Sequence, residues 1–123
     1  MAEGALVFGV LGDAPYSRGE VERLDRVIDD INADKLEFVV HVGDIGSAAL
    51  ACTDGWLRER KQQFDRIRHP FLLIPGDNEW TDCTHPVDRL QAWRKLFCHT
   101  ETIVKLERQR GEYCEHVRWE ASG

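Results

Sequence analysis

Three apolar runs constrain this chain more than any other feature. "ALVFGVLG" (5–12), "EFVVHVGD" (37–44) and "PFLLIPGD" (70–77) each lead into Gly-Asp, at Asp13, Asp44 and Asp77. Unbroken Val, Leu, Ile and Phe, rather than strict alternation, marks strands covered on both faces, as in parallel sheets. The segments between the runs have helical length. Over 19–31, Val21, Leu24, Val27, Ile28 and Ile31 recur at three- and four-residue spacing behind Ser17, a ready N-cap. Trp56, Leu57, Phe64 and Ile67 predict a second helix over 56–67, ended before Pro70, and Leu90, Trp93, Leu96 and Phe97 a third over 88–97. The order β-α-β-α-β-α predicts an α/β fold with one parallel sheet joined by right-handed crossovers. Beyond Glu101 the pattern weakens to a strand over 102–106, a turn at Gly111 and a short strand ending at Trp119.

A chain of 123 residues, 42% hydrophobic, builds one core and reads as a single domain over 1–123. The formal net charge of -6 comes with no basic stripe, so nucleic-acid scaffold binding is not expected. Neither is a membrane partner: the run 5–11 is too short to span a bilayer and no Lys or Arg precedes it, which predicts a cytoplasmic location. Cys52, Cys83, Cys98 and Cys114 include no close pair, which fits neither a zinc ribbon nor a redox CxxC and predicts reduced thiols.

In an open parallel sheet, ligands bind outside the carboxyl ends of the strands, where Asp13, Asp44 and Asp77 fall. Carboxylates gathered there raise one another's pKa unless a cation sits among them, and a divalent metal is the common solution. Glycine before each aspartate lets the backbone turn tightly. One Gly-Asp is an ordinary turn or cap; three in register point to metal or phosphate chemistry.

"LGDAPY", "VGDIGS" and "PGDNEW", in that order and separated by amphipathic helices, resemble the first three motifs of the calcineurin-like metallophosphoesterases, and "GDNEWTDC" (76–83) is similar to a bacterial branch of that superfamily. The resemblance covers about residues 5–85. It implies hydrolysis of phosphomonoesters or phosphodiesters by metal-activated water at one or two divalent ions, manganese, iron or zinc. Asp13 would bind the first metal and Asp44 would bridge. The family mostly carries Gly-Asn-His-Asp/Glu in its third motif, so either Asp77 or Asn78 is the ligand to the second metal. Asp44 and Asn78 are the residues the resemblance brings closest to catalysis. Glu79 would orient them or start a helix.

Where the family's first motif has Asp-x-His, Pro15 stands in the histidine's place; Tyr16 could contribute its phenolic oxygen to metal or substrate. Trp80 could wall the substrate pocket. The family's late histidine motifs have no counterpart, and its domains run to about twice this length. The implied fold is therefore half of a four-layer sandwich, a truncated or minimal domain completed by a homodimer or by exchange of 101–119. Among the histidines, His41 reads as a core residue, His69 lies at the far end of its strand, and His99 suits a helix end. His85 and His116 are the candidates to replace the missing ligands. Arg58, Arg60, Lys61 and Arg94 read as solvated helix faces.

Overall fold

The computed structural model describes residues 4–98, 107–109, 111 and 113–120. Its elements run β1 (Gly9–Leu11), α1 (Arg18–Ala33), β2 (Val39–His41), α2 (Ala48–Ala51), α3 (Asp54–Phe64), β3 (Phe71–Leu73), a 3₁₀ turn (Asp77–Glu79), α4 (Pro86–Phe97), β4 (Glu107–Arg108) and β5 (Val117–Arg118). The first three strands form a parallel sheet in the order β1-β2-β3. Gly9, Val39 and Phe71 are in register at one end, and Leu11, His41 and Leu73 at the other. The α/β expectation holds at this level. Each strand is shorter than its apolar run, because the residues before each aspartate belong to the turn. Pairing nonetheless continues past the strands, with Val42 N–H donating to Leu11 O at 2.9 Å and Asp13 N–H to Gly43 O at 3.0 Å. These two bonds hold the first two aspartate loops side by side.

Helix α1 forms where its apolar spacing predicts, and Ser17 caps it by accepting the Glu20 N–H at 3.2 Å. Thr53 starts α3, and Pro86 occupies the first turn of α4, where no helical N–H partner is lost. Leu24 and Ile28 of α1, Leu57 and Phe64 of α3, and Trp93 and Phe97 of α4 meet Val39 in one buried cluster. Side chains alternate along a strand, so Val10, Val40 and Leu72 turn to the opposite side of the sheet. There β4 and β5, paired antiparallel, stand over Val40, Leu72 and Ile74 across a cleft of about 850 Å³. The short strand expected to end at Trp119 is β5. The strand expected over 102–106 and His99 lie outside the described residues.

Two expectations are overturned. All four cysteines are oxidised, as Cys52–Cys83 and Cys98–Cys114, with Cα separations of 5.6 and 5.8 Å. Partners 31 and 16 residues apart are brought together by the fold, which linear spacing does not report. Disulfides suit an oxidising compartment, which the expected cytoplasmic location is not. Among the described residues, no helix is long and apolar enough to cross a membrane. Arg60 is not on a solvated face either: it is buried, with its guanidinium 4.2 Å from the centroid of the Trp56 ring. Arg94 forms a two-pronged pair with Glu115, at 2.9 and 2.7 Å.

Candidate functional site

Asp13 and Asp44 occupy equivalent places after β1 and β2, and both have φ of 59°. Residues with a Cβ avoid this left-handed region, at a cost of roughly 1–2 kcal/mol each, and such strain concentrates at functional loops. Gly43, just before Asp44, has φ of 100°. The third strand end approaches so closely that a Cβ on Gly76 would collide with Asp44, 2.2 Å from its Oδ1 and 2.4 Å from its backbone N. The glycines of the second and third Gly-Asp pairs are thus required for chain approach.

The segment after Gly76 closes as a 3₁₀ turn that presents its side chains toward the second loop. Asn78 N–H donates to Asp44 Oδ1 at 3.0 Å. The Asn78 side-chain amide donates to Gly46 O at 3.0 Å and to the Tyr16 hydroxyl at 2.9 Å. Both amide hydrogens are therefore used, leaving Oδ1 as the Asn78 atom that could bind a cation. Tyr16 in turn donates a short hydrogen bond to Asp13 Oδ1. One hydrogen-bonded chain, Asp13–Tyr16–Asn78–Asp44, spans all three motifs. Burial pushes the Tyr16 hydroxyl well above its ordinary range, and the bond to Asp13 adds to this, so it is a neutral donor here rather than a phenolate.

Glu79 is fully buried, and its Oε1 accepts the Ile45 N–H at 2.9 Å while Oε2 lies buried without a partner. From the last position of the 3₁₀ turn it fixes the residue next to Asp44. Desolvation raises its carboxyl to about 7, with the Asp44 charge pushing the same way against the Ile45 N–H. Asp44 is raised as well, by burial and by the neighbouring Asp77 carboxyl, with the Asn78 N–H opposing. The raised carboxyls mark a site where acidic groups crowd and backbone N–H groups oppose them. Its exposed donors are oxygens, the kind that hard divalent ions take.

Asp13, Asp44 and Asp77 do not draw together tightly enough to cage one ion by themselves. Among the described residues, the one trio of acid, His or Cys ligand atoms within 4.8 Å of one another is Cys98, Cys114 and Glu115, and its sulfurs are bonded to each other. Trp80 lines a cleft of about 430 Å³ with Leu90, Arg94, Tyr113 and His116, which none of the three aspartates lines. His85 is exposed before α4; His116 is exposed, stacked on Tyr113 and bonded to Gln109 Oε1 at 2.7 Å. Neither has a bond to the carboxylates.

Two supports lie outside the motif reading. His41 is buried as expected, but it also reaches across: Nε2 donates to Ala14 O at 2.8 Å and Nδ1 accepts the Gly43 N–H at 3.1 Å. Burial lowers its pKa, which keeps it neutral in this bridging form between the first two loops. Trp56 donates from Nε1 to Ile45 O at 2.7 Å, and a Cβ on Gly46 would come within 2.5 Å of that nitrogen. The signal was the second glycine of "GDIG". Comparison with protein-family models, with curated proteins and with solved structures gives no match for this chain.

Proposed function

We propose that the chain is a divalent-metal-dependent hydrolase of phosphate esters, as its resemblance to calcineurin-like metallophosphoesterases implies. The observation that carries this reading is the pair Asp13 and Asp44, both held at φ of 59° at neighbouring strand ends, with Asn78 tied to each loop. One such aspartate suits an ordinary turn; two at neighbouring strand ends, with both loops linked to Asn78, suit a shared ligand. Asp13, Asp44, Asn78 through Oδ1, and Asp77 would hold the cation. A bound divalent ion would lower the pKa of water and offset charge on phosphoryl oxygens. The protein's own part is positional. Tyr16 and the Asn78 N–H keep the Asp13 and Asp44 oxygens oriented, and Glu79 and Trp56 fix the loop after Asp44 from behind; Trp80 faces the separate cleft and has no part in holding the cation.

Calorimetric titration with Mn²⁺, followed by hydrolysis of bis(4-nitrophenyl) phosphate, tests the reading. Asp44→Asn is expected to lower the Mn²⁺-stimulated rate by at least about 100-fold, in the range of losing a principal electrostatic contribution. An unchanged rate would sink the assignment. A second reading is a folded, catalytically weak metal-binding or assembly module, favoured by the all-oxygen donor set with no histidine bonded to it. Cation binding with no turnover in the native chain would select it.

A further inference from the structure

We infer that the Cys52–Cys83 disulfide is a redox-sensitive clamp on the cation site; the inference rests on the metal reading above. The bridge joins the two segments that present Asp44 and Asn78. Cys52 caps the C-terminal end of α2, the four-residue helix that follows the Asp44 loop. Cys83 follows the 3₁₀ turn, its N–H donating to Trp80 O at 3.0 Å. Both sulfurs rest against the carbonyl oxygen of Asn78, at 3.7 Å from Cys52 and 3.6 Å from Cys83. Neither sulfur carries a proton, so these are packing contacts, and they press on the residue that links Asp44 to Tyr16.

The other ties between the segments are hydrogen bonds: Asn78 N–H to Asp44 Oδ1, the Asn78 amide to Gly46 O, and Ile45 N–H to Glu79 Oε1. The first uses an oxygen that a cation would also claim. A four-residue helix and a three-residue 3₁₀ turn have little internal cooperativity to stand on. The disulfide is the one covalent tie between them, and a cation does not compete for it.

Opening the bridge is a two-electron reduction. A thiol reductant attacks as thiolate at Cys52 Sγ, the more exposed sulfur, and Cys83 leaves as thiolate and takes a proton. A second reductant thiolate then displaces the Cys52 sulfur, which is protonated in turn. The products are two protein thiols and the reductant's disulfide. With the bridge open, Asn78 loses its backing and the site loses affinity.

The test is Mn²⁺ titration of the full chain and two double variants, each verified as folded by circular dichroism at the assay temperature. Cys52→Ala/Cys83→Val is expected to weaken Mn²⁺ binding by about tenfold or more, as for loss of groups that orient metal ligands. Cys98→Ala/Cys114→Val, which opens the other bridge, is expected to stay within about twofold of the parent. Binding within twofold in the first variant, or equal weakening in both, overturns the clamp. A parent chain that binds no Mn²⁺ overturns the metal reading itself, and the clamp with it. If the first variant does not fold, the parent is titrated during stepwise dithiothreitol reduction, with mass spectrometry reporting which bridge has opened. Affinity must then fall with the Cys52–Cys83 bridge; affinity that survives its opening overturns the inference.

Discussion

Glu79 is where a single residue decides most. Its carboxyl is moved from an ordinary 4.5 up to about 7, first by burial. The folded chain therefore holds a proton that the unfolded chain releases between those values, so stability of the metal-free protein is full below about 4.5 and falls as pH rises toward 7. Asp44, shifted in the same direction, deepens the fall. At about 1.4 kcal/mol per pH unit, Glu79 alone amounts to about 3 kcal/mol. Urea denaturation without metal should show this slope, and Glu79→Gln should flatten it while keeping an acceptor for the Ile45 N–H; equal slopes in both proteins would contradict the assignment. Gly76 gives a second prediction at this scale. Gly76→Ala forces a Cβ into the Asp44 carboxylate and backbone. It should cost about 1–3 kcal/mol as overpacking does, measured by denaturant midpoint, and weaken Mn²⁺ binding in parallel. The sequence marked Glu79 and Gly76 only as members of a motif; that one is fully buried and the other pressed on Asp44 depends on a 3₁₀ turn that no periodicity announces.

At the scale of elements, what rests on repetition was legible. Apolar spacing over 19–31 and 88–97 becomes α1 and α4 within two residues at each end, because the same stripe that makes the pattern makes the core contact. The unbroken runs became parallel strands for the same reason, and they delivered Asp13, Asp44 and Asp77 to one edge. What rests on distant chain contacts was not legible. Helix α2 is too short to show a period, and the pairing of Cys52 with Cys83 requires the loop after β2 to meet the loop after β3. The disulfides carry a prediction here. Bridges closing 31 and 16 residues should stabilise by about 3–4 and about 3 kcal/mol respectively, in the chain-entropy account. Removing either pair by substitution should lower Tm by about 10 °C or more, read by circular dichroism, and a shift under about 3 °C would show that the reduced chain keeps the same constraints by other means.

Among the described residues, the three-stranded parallel sheet has an unequal cover. Helices α1, α3 and α4 all contribute to the cluster on one face, around Val39. On the other face Phe8, Val10, Val42 and Ile74 are 47%, 59%, 50% and 39% exposed, and the β4–β5 hairpin stands over only part of it. Parallel strands are ordinarily covered on both sides, since both faces carry apolar residues. We propose that a second copy of the chain covers this face, because a two-fold contact hides the same patch on both partners at once. Sedimentation equilibrium should then show a dimer that dissociates on dilution. Val10→Lys/Val42→Lys, which places charge on the exposed face and leaves Val39 and the helix contacts alone, should give a folded monomer. If that dimer also steadies the strand ends, the variant will bind Mn²⁺ less tightly at concentrations where the parent is dimeric and equally well where both are monomers. A parent chain that stays monomeric up to about 100 μM, a concentration at which a stable dimer would be paired, would remove the dimer and leave the face to be covered by something else.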